Sequence, residues 1–151
     1  MHPKQLLELI KQCLTDTYTE DSPDVLRRRT QLVFSTICVE SDCGYYLKQT
    51  RGPALGICQM EPNTFTWLLD RNPNLRKFLN HPNPKDLVYD LFLAIVMCAE
   101  RYKVVPKPLP DLNDIQGMAA YWKQYYNTPL GAGTVEDCIK KYEKYSRGLT
   151  F

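Results

Sequence analysis

Residues Leu91 to Ala99 form an unbroken apolar run, closed by Asp90 on one side and Glu100 on the other. A membrane span needs about 20 apolar residues, so this run reads as a buried segment. It shows no period-2 alternation, and a helix that is apolar on every side is normally the central one. Asn83-Pro84-Lys85-Asp86 just upstream carries a helix-start signal: a cap residue, proline at the first helical position, then an acid near the positive end of the dipole. The expectation is a central helix over Leu87–Tyr102. A chain of 151 residues is about one domain, and it can bury about two thirds of its unfolded surface around such a helix.

The rest of the chain punctuates itself into further helices. Residues 4–14 set Leu6, Leu7, Ile10 and Leu14 on one stripe. Ser22-Pro23-Asp24 repeats the start signal and opens a helix to about Val39, with Val25, Leu32, Val33, Thr36 and Ile37 facing inward. Pro62 and Thr64 begin another. Pro106-Lys107-Pro108-Leu109-Pro110 is a stiff connector, after which residues 113–126 resume helical periodicity. Gly131-Ala132-Gly133 breaks it, and Thr134 with Asp137 three residues on caps a last helix to about Tyr145. Strand signals are confined to short pieces between Tyr45 and Ile57. The predicted fold is a single, mostly α domain over residues 1–151, with six or so helices around the central one.

Charge excludes several functions. Nineteen Lys and Arg against 17 Asp and Glu leave a net charge of +2, which gives no footprint for nucleic acid. Arg27-Arg28-Arg29 reads as a solvated helix face rather than a site for anionic polymer. The N-terminus, Met1 to Glu8, has no apolar h-region, so synthesis in the cytoplasm without a signal peptide is expected. The six cysteines include no C-x-x-C pair, and the histidines are His2 and His81 alone. The even count would suit disulfides in a secreted chain, but without a secretion signal reduced core thiols come first and disulfides second, and the spacing gives no metal site. A nucleophilic Cys43 or Cys58 would need His81, which sits in a proline-rich loop with no base role evident.

The informative stretch runs from Val39-Glu40-Ser41-Asp42 to Ala54-Leu55-Gly56-Ile57-Cys58-Gln59-Met60-Glu61-Pro62-Asn63-Thr64. Glu40 ends a largely apolar helix, where burial and the negative end of the dipole both disfavour its anion. A carboxyl still protonated near neutral pH is what a general acid needs. Glycines 52 and 56 let backbone come close to a facing helix or a ligand. Gln59, between Ile57 and Met60, is a polar group aimed inward or into a cleft.

Glu40-Ser41, a gap, then Gly56-Ile57-Cys58-Gln59 with Pro62 and Thr64 resembles the lysozyme-like fold of soluble lytic transglycosylases and goose-type lysozymes. The likeness covers roughly residues 25–65, continues more weakly near 119–127, and is greatest to small phage-encoded members. The resemblance implies a short β-like loop after the glutamate, and peptidoglycan as substrate with no cofactor. Glu40 would protonate the glycosidic oxygen between N-acetylmuramic acid and N-acetylglucosamine. It would then act as base while the muramic 6-hydroxyl closes an anhydro ring. Ser41 and Gln59 would contact the sugar strand.

The family's Ala-Tyr-Asn is matched twice and imperfectly. Ala120-Tyr121-Trp122 has tryptophan for asparagine, and Tyr126-Asn127 follows five residues later. Tyr121 is the first choice for the tyrosine beside the acid and Tyr126 the second. A two-carboxylate hydrolase needs a partner for Glu40, and neither Asp42 nor Glu61 matches one, so the resemblance favours the single-acid route. The alternatives are a water-using muramidase with the same site and a non-catalytic phage virion or tail protein that binds wall or partners. The implied partners are glycan strands and other virion proteins, with action in the periplasm or cell wall after virion delivery or release at lysis.

Overall fold

The computed structural model describes residues 1–151 as one all-α domain of seven α-helices without a β-strand. They are α1 (Pro3–Thr17), α2 (Pro23–Ser41), α3 (Pro62–Arg71), α4 (Pro73–Phe78), α5 (Leu91–Lys103), α6 (Ile115–Trp122) and α7 (Val135–Ser146). A 3-10 segment (Pro84–Val88) precedes α5, and one π-helical turn (Lys123–Asn127) continues α6. No helix is long and apolar enough to cross a membrane.

Two of the expected starts hold. The Ser22 side chain accepts from the Val25 N–H, and that of Thr134 from the Asp137 N–H. The expected helix over Leu87–Tyr102 is corrected. Asn83 and Asp86 do form a reciprocal cap, but it closes only the 3-10 segment. Asp90, seven residues later, accepts from the Leu93 N–H at 2.9 Å and starts α5 afresh. Two caps in tandem split what the sequence reads as one helix.

The core is also built differently from the expectation of one central helix. α5 packs against α1, α2, α3 and both irregular segments, while α2 packs against α1, α5, α6 and α7. Both are central. α2 is buried without interruption from Arg29 to Cys38, polar residues included. Arg29, Gln31, Ser35 and Thr36 each have a partner there, as burial requires. Gln31 donates to the Tyr142 hydroxyl at 2.7 Å and accepts from the Asn113 N–H at 2.8 Å. Thr36 shares a hydrogen bond with the Tyr102 hydroxyl at 2.6 Å. The arginine triplet is a solvated face only in part. Arg29 is 6% exposed, paired with Asp21 at 2.9 Å, and lies over the Tyr18 ring. Arg28 pairs with Asp24 and Asp111, and Arg27 donates to the Phe151 carbonyl.

The β-like loop reduces to two isolated antiparallel bridges, Lys48 with Leu55 and Leu55 with Met60. Leu55 and Met60 exchange both backbone hydrogen bonds, at 2.9 and 3.0 Å, which closes a tight turn around Gln59. Gly56 makes this turn possible. Its φ is +76°, and a Cβ there would lie 2.3 Å from the Leu87 carbonyl oxygen of the 3-10 segment. All six cysteines are buried and unbridged.

Candidate active site

The end of α2, the turn at residues 55–60, the start of α3, the end of α5 and the segment 126–133 enclose a cleft of about 490 Å³. Glu40 sits in its wall, one residue before α2 ends. The residues after it explain how the helix stops there. Ser41 donates to the Ile37 carbonyl and accepts from the Gly44 N–H, and Asp42 takes a left-handed conformation at φ +53°. Ser41 is fully buried by these contacts and does not line the cleft. The expectation that it contacts substrate is therefore corrected to a structural role at the helix end.

The Glu40 carboxyl has one partner in the protein. The Trp122 indole, at the end of α6, donates to Oε1 at 2.8 Å. Desolvation by burial pushes the Glu40 pKa up from 4.5 to about 7, against the opposing pull of that hydrogen bond. Trp122 is held in place by a close neighbour, since a Cβ on Gly133 would stand 2.7 Å from its ring. Trp122 thus orients the Glu40 carboxyl.

Gln59 and Tyr126 both line the cleft with Glu40. Gln59 has φ +47°, and its amide donates back to the Gly56 carbonyl at 2.8 Å, which fixes the side chain within its own turn. The Tyr126 hydroxyl donates to the Cys58 carbonyl at 2.7 Å and ties the π turn to the same turn. Burial holds that phenol far above its ordinary range, so it remains a donor.

Tyr121 lies elsewhere. Its hydroxyl donates to the Lys107 carbonyl at 3.2 Å, and its ring faces a separate hollow with Arg28, Lys107 and Leu109. Tyr121 belongs to the regular turn of α6 and Tyr126 to the π turn that follows it, and the two tyrosines face different walls. Tyr102 packs against both, with centroids 5.7 Å from Tyr121 and 5.3 Å from Tyr126. The order expected from sequence is reversed: Tyr126 stands in the Glu40 cleft and Tyr121 does not.

Other residues complete the cleft. Arg101 comes from α5, and Asn127, Thr128, Leu130 and the 131–133 segment form the far wall. Lys123 braces that wall by donating to Asn127 Oδ1 and the Gly131 carbonyl, both at 2.8 Å. Thr128 sits at φ +77° and ψ 151°, a region strained for a β-branched residue. Of the two acids weighed as partners for Glu40, Asp42 points away and bonds Lys141 and Tyr145 of α7, whereas Glu61 lines the cleft. Neither histidine and no cysteine side chain is among the lining residues. No group of three or more His, Cys, Asp or Glu is placed to hold a metal ion.

The arrangement can therefore donate and take back a proton at one carboxyl beside a fixed amide and a free guanidinium. No protein-family model, curated protein or solved structure matches the chain.

Proposed function

We propose that the chain cleaves the β-1,4 bond between N-acetylmuramic acid and N-acetylglucosamine in peptidoglycan, by a lytic-transglycosylase route in a lysozyme-like fold. One observation carries the reading: a half-buried carboxyl, Glu40, with its pKa raised to about 7, in the wall of an open cleft of about 490 Å³. A group with that pKa is half protonated near neutral pH, where a general acid works best.

In this reading Glu40 gives its proton to the glycosidic oxygen as the bond from muramic C1 to that oxygen breaks. The resulting carboxylate removes the proton of the muramic 6-hydroxyl while O6 bonds to C1, leaving a 1,6-anhydro product. Glu40 regains its proton, so no water is consumed. Trp122 occupies Oε1 throughout, which leaves Oε2 to handle the proton. The same hydrogen bond strengthens when Glu40 becomes an anion, because charge-assisted bonds are the stronger ones. Tyr126 and Gln59 hold the cleft wall in register rather than transfer protons. Action at the cell wall, reached from a phage virion or at lysis, is part of the same proposal.

The test is mass analysis of fragments released from purified peptidoglycan by wild type and Glu40→Gln. Anhydro-muramic ends made by wild type alone are the expected result. Reducing muramic ends would make the enzyme a water-using muramidase, with Glu61 the carboxylate to examine next because it shares the cleft. Release of nothing from any wall type would overturn catalysis and leave a wall-binding or virion component.

A further inference from the structure

Thr64 and Arg101 belong to two walls at once. They line the Glu40 cleft, and they also line an adjoining hollow of about 270 Å³ whose other walls are Asn63 and Trp67. The cleft therefore continues past its acid along the start of α3.

Trp67 is 44% exposed, although tryptophan is the side chain with the most apolar surface to hide. The Arg71 guanidinium lies 4.7 Å from its ring centroid and steadies it. Arg101 is half-buried in the last turn of α5 and makes no hydrogen bond or ion pair within the chain. Arg28, Arg29 and Arg76 all have carboxylate partners, and Arg27 caps a carbonyl. A partly desolvated guanidinium beside an open hollow is matched by a planar anion, which it binds through two parallel N–H bonds.

We propose that the Trp67–Arg101 hollow is a distal subsite for a sugar bearing a carboxylate, its C–H face on the indole and its carboxylate on Arg101. This deepens the reading of the Glu40 cleft as a glycan site and rests on it. In peptidoglycan the muramoyl unit supplies that chemistry from two sources: the lactyl carboxylate of glycan stripped of peptide, or a carboxylate of an attached stem peptide. A neutral N-acetylglucosamine oligomer offers the stacking surface without the anion.

The experiment is calorimetric titration of the full-length Glu40→Gln protein with three soluble ligands: an N-acetylglucosamine hexamer, peptide-free glycan chains and peptide-bearing glycan chains. At least one carboxylate-bearing ligand should bind about tenfold or more tighter than the neutral hexamer, in line with a charge-assisted pair. Adding Arg101→Met should erase that preference and Arg101→Lys should restore part of it. Trp67→Ala, at an exposed position, should weaken all three ligands alike. Whichever of the two carboxylate ligands gains identifies the source.

Equal affinity for all three, or a preference unchanged by Arg101→Met, would overturn the subsite. If wild type still releases muropeptides in that case, the reading of the Glu40 cleft survives alone. Binding of none of the ligands, with no release by wild type, overturns both.

Discussion

Two carboxyls lie two residues apart at the end of α2 and meet opposite surroundings. Glu40 is half-buried against Trp122 with a single neutral donor, and desolvation raises its pKa to about 7. Asp42 has left the helix into a left-handed conformation, where hydrogen bonds from Lys141 and Tyr145 hold its pKa below 3.8. Position near the negative end of the helix dipole is common to both, so the dipole does not decide their charge states. Burial decides one and a specific cation the other. One carboxyl is left able to carry a proton at neutral pH, and its neighbour fastens α2 to α7.

The contrast can be broken first at Glu40. Glu40→Gln keeps an oxygen for the Trp122 indole but removes the proton, and turnover should fall by about 10²–10⁴-fold. Release assays on purified peptidoglycan check it. A variant with wild-type turnover would remove Glu40 from the chemistry.

Stability against pH sharpens the same contrast. The folded pKa of Glu40 is raised, so between pH 4.5 and about 7 the native state holds a proton that the unfolded state has lost. Stability contributed by this group is fully present below pH 4.5 and falls as pH rises through that window. At about 1.4 kcal/mol per pKa unit the full effect is about 3 kcal/mol. Denaturant melts should therefore show Glu40→Gln gaining on wild type from pH 5 to pH 8, with the advantage vanishing below pH 4.5.

Trp122→Phe removes the donor and leaves a gap in a buried position. A loss of about 2 kcal/mol in unfolding free energy is expected. Because the indole favours the anion, its removal should raise the Glu40 pKa further. The alkaline limb of the activity profile should then move to higher pH, which a purely structural role for Trp122 would not produce.

Asp42→Asn should have the smallest effect. Its ion pair is partly exposed, so about 0.5–1 kcal/mol is lost at neutral pH. The folded pKa is depressed, so this contribution is present above the unfolded value of 3.8 and disappears as pH falls through the folded one. Turnover should stay within a few-fold of wild type, as the assay of released fragments would show.

Much of the architecture is legible in the sequence because caps and apolar stripes act locally. Ser22, Thr134 and the run at Leu91–Ala99 each mark an element the structure contains. α2 hides its central place because its buried face includes Gln31, Ser35 and Thr36, whose partners lie up to 111 residues away. The boundary at Asp90 is obscured by a second cap signal upstream. At the site, Glu40 and Gln59 are readable from burial pattern and turn chemistry, and the structure brings both into one cleft.

The tyrosine is not readable in that way. A π turn looks like ordinary helix in a sequence, yet it carries Tyr126 toward Cys58 and leaves Tyr121 facing the other hollow. Arg101 is 61 residues from Glu40 in the chain (101 − 40) and reaches the cleft only through the packing of α5 on α2. Neither local spacing nor composition encodes such a contact.

What most needs measuring is whether Glu40 carries an ionisable proton at neutral pH beside the cleft. Carbon-13 NMR titration of the side-chain carboxyls, with Glu40→Gln and Asp42→Asn as assignment controls, measures it directly. The expected Glu40 midpoint is about 7, and that of Asp42 lies below 3.8. A Glu40 midpoint near 4.5, unchanged by Trp122→Phe, would contradict it.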